Sequence, residues 1–235
     1  MINIYQNLYN VSIDNMLKMI ATLPVSVHVK NANTGKYIVS NQANLEIYKL
    51  NNIKEIIGLT LSELDIFMRP FWGNAFVDKV NEMDKLVVSS GKFVHDKQRV
   101  FLDKTGFVHY QNMYKIPFAS RSNSKKIIAI LTNSDDYTKK VDLITLLRSY
   151  LGIYASKPRA LAMFMEYLDL KKFFYEPLTE KELMCLLHAK NDDVRINMAV
   201  NIGVTIKTIE AHVSNIKSKL IYGNIDSVVK HLRGV

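Results

Sequence analysis

The sequence predicts an α+β chain: an antiparallel sheet domain with flanking helices, a helical connector, and an all-α C-terminal domain of four helices. Three observations carry this prediction. Before residue 138, short runs alternate apolar and polar residues, the period of a half-buried strand. After residue 139, apolar residues recur at spacings of three and four, the period of a helix. A length of 235 residues suits two small domains better than one large core. The expected parts are an N-terminal helix over 1–22, a sheet domain over 23–138, a connector over 139–177 and the C-terminal domain over 178–235.

Val11, Met16, Met19 and Ile20 give the first segment its helical pattern, and Pro24 follows closely. Val25 to Val29 alternates, a turn follows from Asn31 to Gly35, and Lys36 to Ser40 resumes a strand, so a hairpin is expected. Asn41 to Leu50 and Asn52 to Ile57 are short helical candidates, and the mixed stretch from Gly58 to Ser90 predicts several short helices. Phe93 to Leu102, Gly106 to Ile116 and Lys126 to Leu131 read as three strands of a meander.

In the connector, Val141, Ile144, Leu147 and Leu151 form an apolar stripe, and Ala160 to Phe174 repeats the pattern. Such a stripe suits packing on its own domain and, equally, a dimer seam or a signal-carrying connector. Thr179 and Glu182 have the spacing of a capping box, and Pro177 sets the boundary before them. A helix is expected from Val194 to Asn201. The break Ile202-Gly203-Val204-Thr205 follows, with Gly203 free to take positive φ and Thr205 able to cap the next helix. This is helix-turn-helix spacing. On the last long helix Ile209, Val213, Ile216 and Leu220 share a buried face. Lys207, Glu210, Ala211, Ser214 and Ser218 share an exposed one.

Composition narrows the classes of function. A net charge of +9 favours a polyanionic partner. The longest dense apolar run, IIAIL from Ile127, is far too short to span a bilayer, and the N-terminus has no secretory pattern, so a cytoplasmic location is expected. The single cysteine, Cys185, forms no internal disulfide, and no Cys/His cluster has zinc spacing, so no metal is expected. No G-x-S-x-G elbow, P-loop or nucleophile with its base occurs, which argues against an enzyme.

Two resemblances extend this reading. LPVSVHVKNANTGKYIVSNQANLEIY (Leu23 to Tyr48), with Asn41 heading a helix, Gly58, and the exit Asp136-Tyr137-Thr138, resembles a PAS domain over about residues 23 to 138. LTEKE, Met198-Ala199 and IGVTIKTIEAHVSNIKSKL resemble the LuxR-type (GerE-like) helix-turn-helix signature without an insertion. Within that match Asp192 replaces a usual glycine, and His188 and Lys190 replace residues that are usually aliphatic or small. The LuxR resemblance implies a transcriptional regulator. Glu210, Ala211 and Ser214 would address bases in the major groove and Lys207, Thr208, Lys217 and Lys219 the phosphates, with Asn215 completing the set. Duplex DNA and a second copy of the chain are the implied partners, RNA polymerase a further candidate.

The PAS resemblance implies a sensor whose cofactor or signal the sequence leaves unknown. Tyr37, Tyr48, Phe67, Phe71, Trp72, Tyr110, Met113 and Tyr114 are candidates to line an apolar ligand pocket, the plainer reading of each being that it fills the core. Flavin photochemistry through a cysteine is excluded, because Cys185 lies outside this domain. His28, His95 and His109 are the candidate haem ligands. Asp135 and Asp136 follow the last strand, where the exit motif belongs, so a receiver domain is rejected. The rival readings are a quorum-sensing receptor for an acyl-homoserine lactone and a PAS protein-interaction module without DNA control.

Overall fold

A computed structural model of the chain describes residues 13–72, 75–103, 105–120, 123 and 125–234. It divides into two compact units, one ending at Thr138 and the other beginning at Lys139.

The first unit is α1 (Ile13–Thr22), β1 (Ser26–Asn31), β2 (Tyr37–Ser40), α2 (Gln42–Tyr48), a 3-10 turn (Ile53–Glu55), α3 (Leu61–Trp72), α4 (Ala75–Ser90), β3 (Val94–Leu102), β4 (Val108–Ala119) and β5 (Ile127–Asp136). The sheet order is β2-β1-β5-β4-β3, antiparallel throughout. A hairpin at one edge, a meander at the other and helices inserted between them make this a PAS architecture. Between Gly58 and Ser90 the chain forms two helices of 12 and 16 residues where several short ones were expected. Val77, Val80, Met83 and Val87 are buried at helical spacing along α4, and that continuous face sustains the longer element.

The two faces of the sheet are covered differently. Ile20 of α1 packs on Val27 and Val29 on the outer face, while Leu45, Leu61, Leu64, Met68 and Val80 from α2, α3 and α4 close the inner face over Phe101 and Met113.

Asn41 ties this domain together. Its Oδ1 accepts from the amides of Val27 and Asn44, each at 3.0 Å, so it caps α2 while holding β1. Its Nδ2 donates to the carbonyls of Leu23 at 3.0 Å and Val25 at 2.6 Å. At the exit, Asp136 Oδ1 accepts from the Thr138 amide and hydroxyl, and the Thr138 hydroxyl accepts from the Tyr110 amide at 2.8 Å.

The second unit is α5 (Leu143–Ile153), α6 (Lys157–Tyr167), α7 (Glu180–Lys190), α8 (Arg195–Ile202), α9 (Ile206–Ser218) and α10 (Ile225–Arg233). Asp142 caps α5, accepting from the amides of Ile144 and Thr145. Leu146, Leu147 and Tyr150 of α5 are fully buried, as are Ala160 and Phe164 of α6, and Tyr150 meets Phe164 edge to face at 5.5 Å between centroids. Of the connector stripe, Leu147 lies in this core, where a charge would destabilise it, while Val141, Ile144 and Leu151 are half-buried. Asp192 adopts φ 59°, so the position that glycine usually holds does require the left-handed region, and its carboxylate is engaged by Arg233. Among the described residues no helix is long and apolar enough to cross a membrane.

His109 gives the exit a pH dependence. Its Nε2 meets Asp103 Oδ2 at 2.9 Å and its Nδ1 meets Asp136 Oδ2 at 2.8 Å. Burial opposes the charged ring, but the two carboxylates prevail and push its pKa up to about 9. The stabilisation is thus fully present below the unfolded histidine value near 6.5 and is lost as pH rises through about 9. Both aspartates are held below their ordinary range, burial being outweighed by the His109 bonds, so their share is lost on acidification. In urea unfolding, the stability advantage of the native chain over His109→Gln is expected to shrink as pH is raised through about 9.

Candidate functional site

The helix-turn-helix is α8, the turn at Gly203 and α9. Gly203 takes φ 73° and its amide closes α8 on Ala199 and Val200, while Lys181 Nζ donates to the Ile202 carbonyl at 2.8 Å. The Thr205 hydroxyl caps α9 by accepting from the Thr208 amide at 3.1 Å. Ile209 and Ile216 are buried, which fixes the rotation of α9. Lys207, Glu210, Ala211, Ser214, Asn215 and Lys217 are consequently all exposed. Thr208 is half-buried, its hydroxyl 2.8 Å from that of Thr205.

Two findings modify the expected set. Glu210 Oε1 accepts from Arg195 Nη1 at 2.9 Å, with both side chains more than half exposed. Its partner is therefore Arg195 at the start of α8, a residue the sequence did not single out because the contact joins two helices. An exposed pair of this kind contributes about 0–1 kcal/mol, so either member can leave it at little cost.

Lys219 is not placed as a free phosphate ligand. Its Nζ donates to Glu182 Oε2 at 2.9 Å and to the Pro177 carbonyl at 3.3 Å, and its side chain is only 16% exposed. Glu182 is 2% exposed and also accepts from the Thr179 amide at 2.7 Å, completing the capping box. Burial would raise the Glu182 carboxyl, but the Thr179 amide and the Lys219 ammonium hold it below its ordinary range. Lys219 lies at the C-cap of α9, and its ammonium reaches Glu182 of α7.

In the first unit a small cavity lies between the inner sheet face and α3 and α4, enclosing about 20 Å³, room for one water-sized group. Tyr37 and Met113 line it with His28, Met68, Phe76 and Arg99. Tyr110 and Tyr114 do not. Successive strand residues point to opposite faces, so Gln111, Met113 and Lys115 face inward and are buried, while Tyr110 packs on Tyr137 and Tyr114 stacks on His95 outside. The side chains of Tyr48, Phe67, Phe71 and Trp72 lie outside the described residues.

The inner face is more polar than its aromatic candidates suggested. Asp84 bridges Lys30 Nζ, at 2.9 Å, and Lys115 Nζ. Burial, then Lys30, pushes the Lys115 ammonium down to about 8. Arg99 lies over the Phe76 ring, 3.9 Å from its centroid, with Nη1 3.1 Å from Met113 Sδ. Of the candidate haem ligands, His109 has both ring nitrogens engaged by carboxylates and His95 stacks on the outer face. His28 bonds Asn44.

No family profile matches the sequence, and no curated protein does. Among solved structures, a Vibrio cholerae VqmA–ligand–DNA complex is 19% identical, covering 93% of this chain and 85% of that chain with a TM-score of 0.47. A phage VqmA–DPO complex is 18% identical, covering 97% and 89% with a TM-score of 0.48. The PAS domain of Bordetella pertussis BvgS is 17% identical, covering 60% and 97% with a TM-score of 0.46. The PAS and helix-turn-helix architectures are carried by this chain's own sheet order and helix geometry.

The two lysines at the end of α9 should behave oppositely. Lys219→Met leaves the buried Glu182 carboxylate without its cationic partner and is expected to cost about 1–3 kcal/mol in urea unfolding. Lys217→Met alters an exposed side chain and is expected to change stability by less than about 0.5 kcal/mol.

Proposed function

We propose that the chain is a DNA-binding transcriptional regulator, in which a signal sensed by the PAS unit governs promoter binding by the LuxR-type unit. The observation that carries this reading is α9: Ile209 and Ile216 are buried, its start is capped, and the remaining surface offers six exposed polar or small side chains, with Ile206 of the first turn 43% exposed beside them. A helix so presented fits the major groove, where base edges offer a distinguishable pattern of donors and acceptors.

Glu210, Ala211 and Ser214 are the proposed base-facing residues. Lys207, Thr208 and Lys217 are the proposed phosphate-facing ones, Asn215 lies beside them, and Arg195 joins the set through Glu210. Operators of such regulators have two half-sites, so the proposed binding form is a dimer. The proposed division is a sensory unit through residue 138 and a DNA-binding unit from residue 139, the former connector helices belonging to the latter.

Fluorescence anisotropy with duplex fragments flanking the gene should show affinity that falls steeply as salt rises, because phosphate contacts release counterions. Lys217→Ala should shallow that dependence for all sequences alike. Glu210→Ala should relax a cytosine preference at one position of each half-site, removing on the order of 1–3 kcal/mol of discrimination. Salt-independent binding, or binding to no fragment, contradicts the reading.

A further inference from the structure

The inner pocket of the PAS unit contains polar groups that the protein itself leaves unanswered. His28 is 5% exposed and Arg99 6% exposed, and both line the cavity. His28 Nε2 and Arg99 Nη2 are buried with no hydrogen-bond partner, as are both side-chain polar atoms of Gln111, which lies directly across the β3–β4 ladder from Arg99. A buried unpartnered polar atom costs about 1–3 kcal/mol, more when charged, so such a cluster on one sheet face calls for an occupant.

The hydrogen bonds specify what the occupant offers. Asn44 Oδ1 can only accept, so His28 Nδ1, 3.3 Å away, carries the proton. Burial lowers the His28 pKa well below its ordinary value, with Lys30 and Lys115 acting in the same direction, which keeps the ring neutral and leaves Nε2 as an acceptor. Arg99 Nη2 can only donate. The pocket thus presents one acceptor and one cationic donor, between apolar walls from Leu61, Leu64 and Met68.

Charge narrows the class. Lys30, Arg99 and Lys115 are all nine-tenths buried or more in this unit, and the two lysines share the carboxylate of Asp84. The rings of Phe76 and Phe101, edge to face with one another, soften the charge of Arg99 without accepting its hydrogen bond.

We infer that this pocket takes a small organic anion with an apolar body, a hydroxycarboxylate whose carboxylate meets Arg99 and whose hydroxyl donates to His28. This rests on the reading of the unit as a sensor and names the chemistry of its signal. The free space of about 20 Å³ admits only the polar end of such a molecule, so its body enters as the Met68 and Phe76 side chains move aside.

The test is calorimetric titration of the full chain with α-hydroxyisovalerate and α-hydroxyisocaproate, against their uncharged amides and against isovalerate and isocaproate, which lack the hydroxyl. At least one hydroxy acid should bind, its amide about tenfold or more weaker, and its deoxy counterpart weaker too. Arg99→Met should lose about tenfold or more for the acid and little for the amide, and His28→Phe should abolish the preference for the hydroxyl. The acid-against-amide comparison on the native chain stands even if a variant fails to fold.

Amides that bind as tightly as acids, or a folded Arg99→Met that binds unchanged, overturn the anion while leaving sensing intact. Absence of binding by every acid, with a neutral molecule retained in native mass spectrometry, does the same. If nothing binds and nothing is retained, the sensory reading falls with it.

Discussion

One buried carboxylate organises the C-terminal unit. Glu182 accepts from the Thr179 amide at the start of α7 and from Lys219 at the end of α9, so the helix that scaffolds the motif and the helix that presents the polar face are pinned at one point. Low exposure strengthens both interactions and makes either partner costly to remove. With the end of α9 held by Glu182 and its length by Ile209 and Ile216, the remaining side chains have only one face to occupy. The polar surface of α9 follows from this clamp as much as from the residues on it.

The PAS unit is held by an analogous device of different chemistry. Asn41 uses all of its side-chain hydrogen-bonding groups on backbone: two amides on its oxygen and two carbonyls on its nitrogen. No charge is involved, so this junction is insensitive to pH, unlike the exit at His109. Asn41 at entry and Asp136 with Thr138 at exit bond to backbone, whereas Arg99 and Gln111 on the inner sheet face, and the Tyr137 hydroxyl at the exit itself, hold buried polar atoms without a partner.

What was legible in the sequence was what depends on neighbours in the chain. Thr179 and Glu182, three residues apart, announced their capping box, and Gly203 with Thr205 announced the turn. Asn41 and Asp136 were readable because each acts on amides within three residues as well as on more distant ones. What was hidden depends on contacts between distant segments. Arg195 and Glu210 are fifteen residues apart, and Lys219 and Glu182 thirty-seven, so no local pattern separates a free lysine from a clamped one. The aromatic candidates of β4 show the same limit: Tyr110 and Tyr114 share one parity and Met113 the other, but which parity faces inward is decided by the helices that cover the sheet. The buried cations were missed because lysine and arginine in a strand ordinarily read as solvent-facing.

The central claim is that the exposed face of α9 is the surface that meets DNA. Amide chemical-shift mapping of the full chain, titrated with duplex DNA at low salt, tests it most directly. The account predicts shifts concentrated on residues 205–217 and on Arg195, with the buried segment 183–187 of α7 nearly unmoved. Shifts confined to other surfaces, with 205–217 unaffected at saturating DNA, would contradict it.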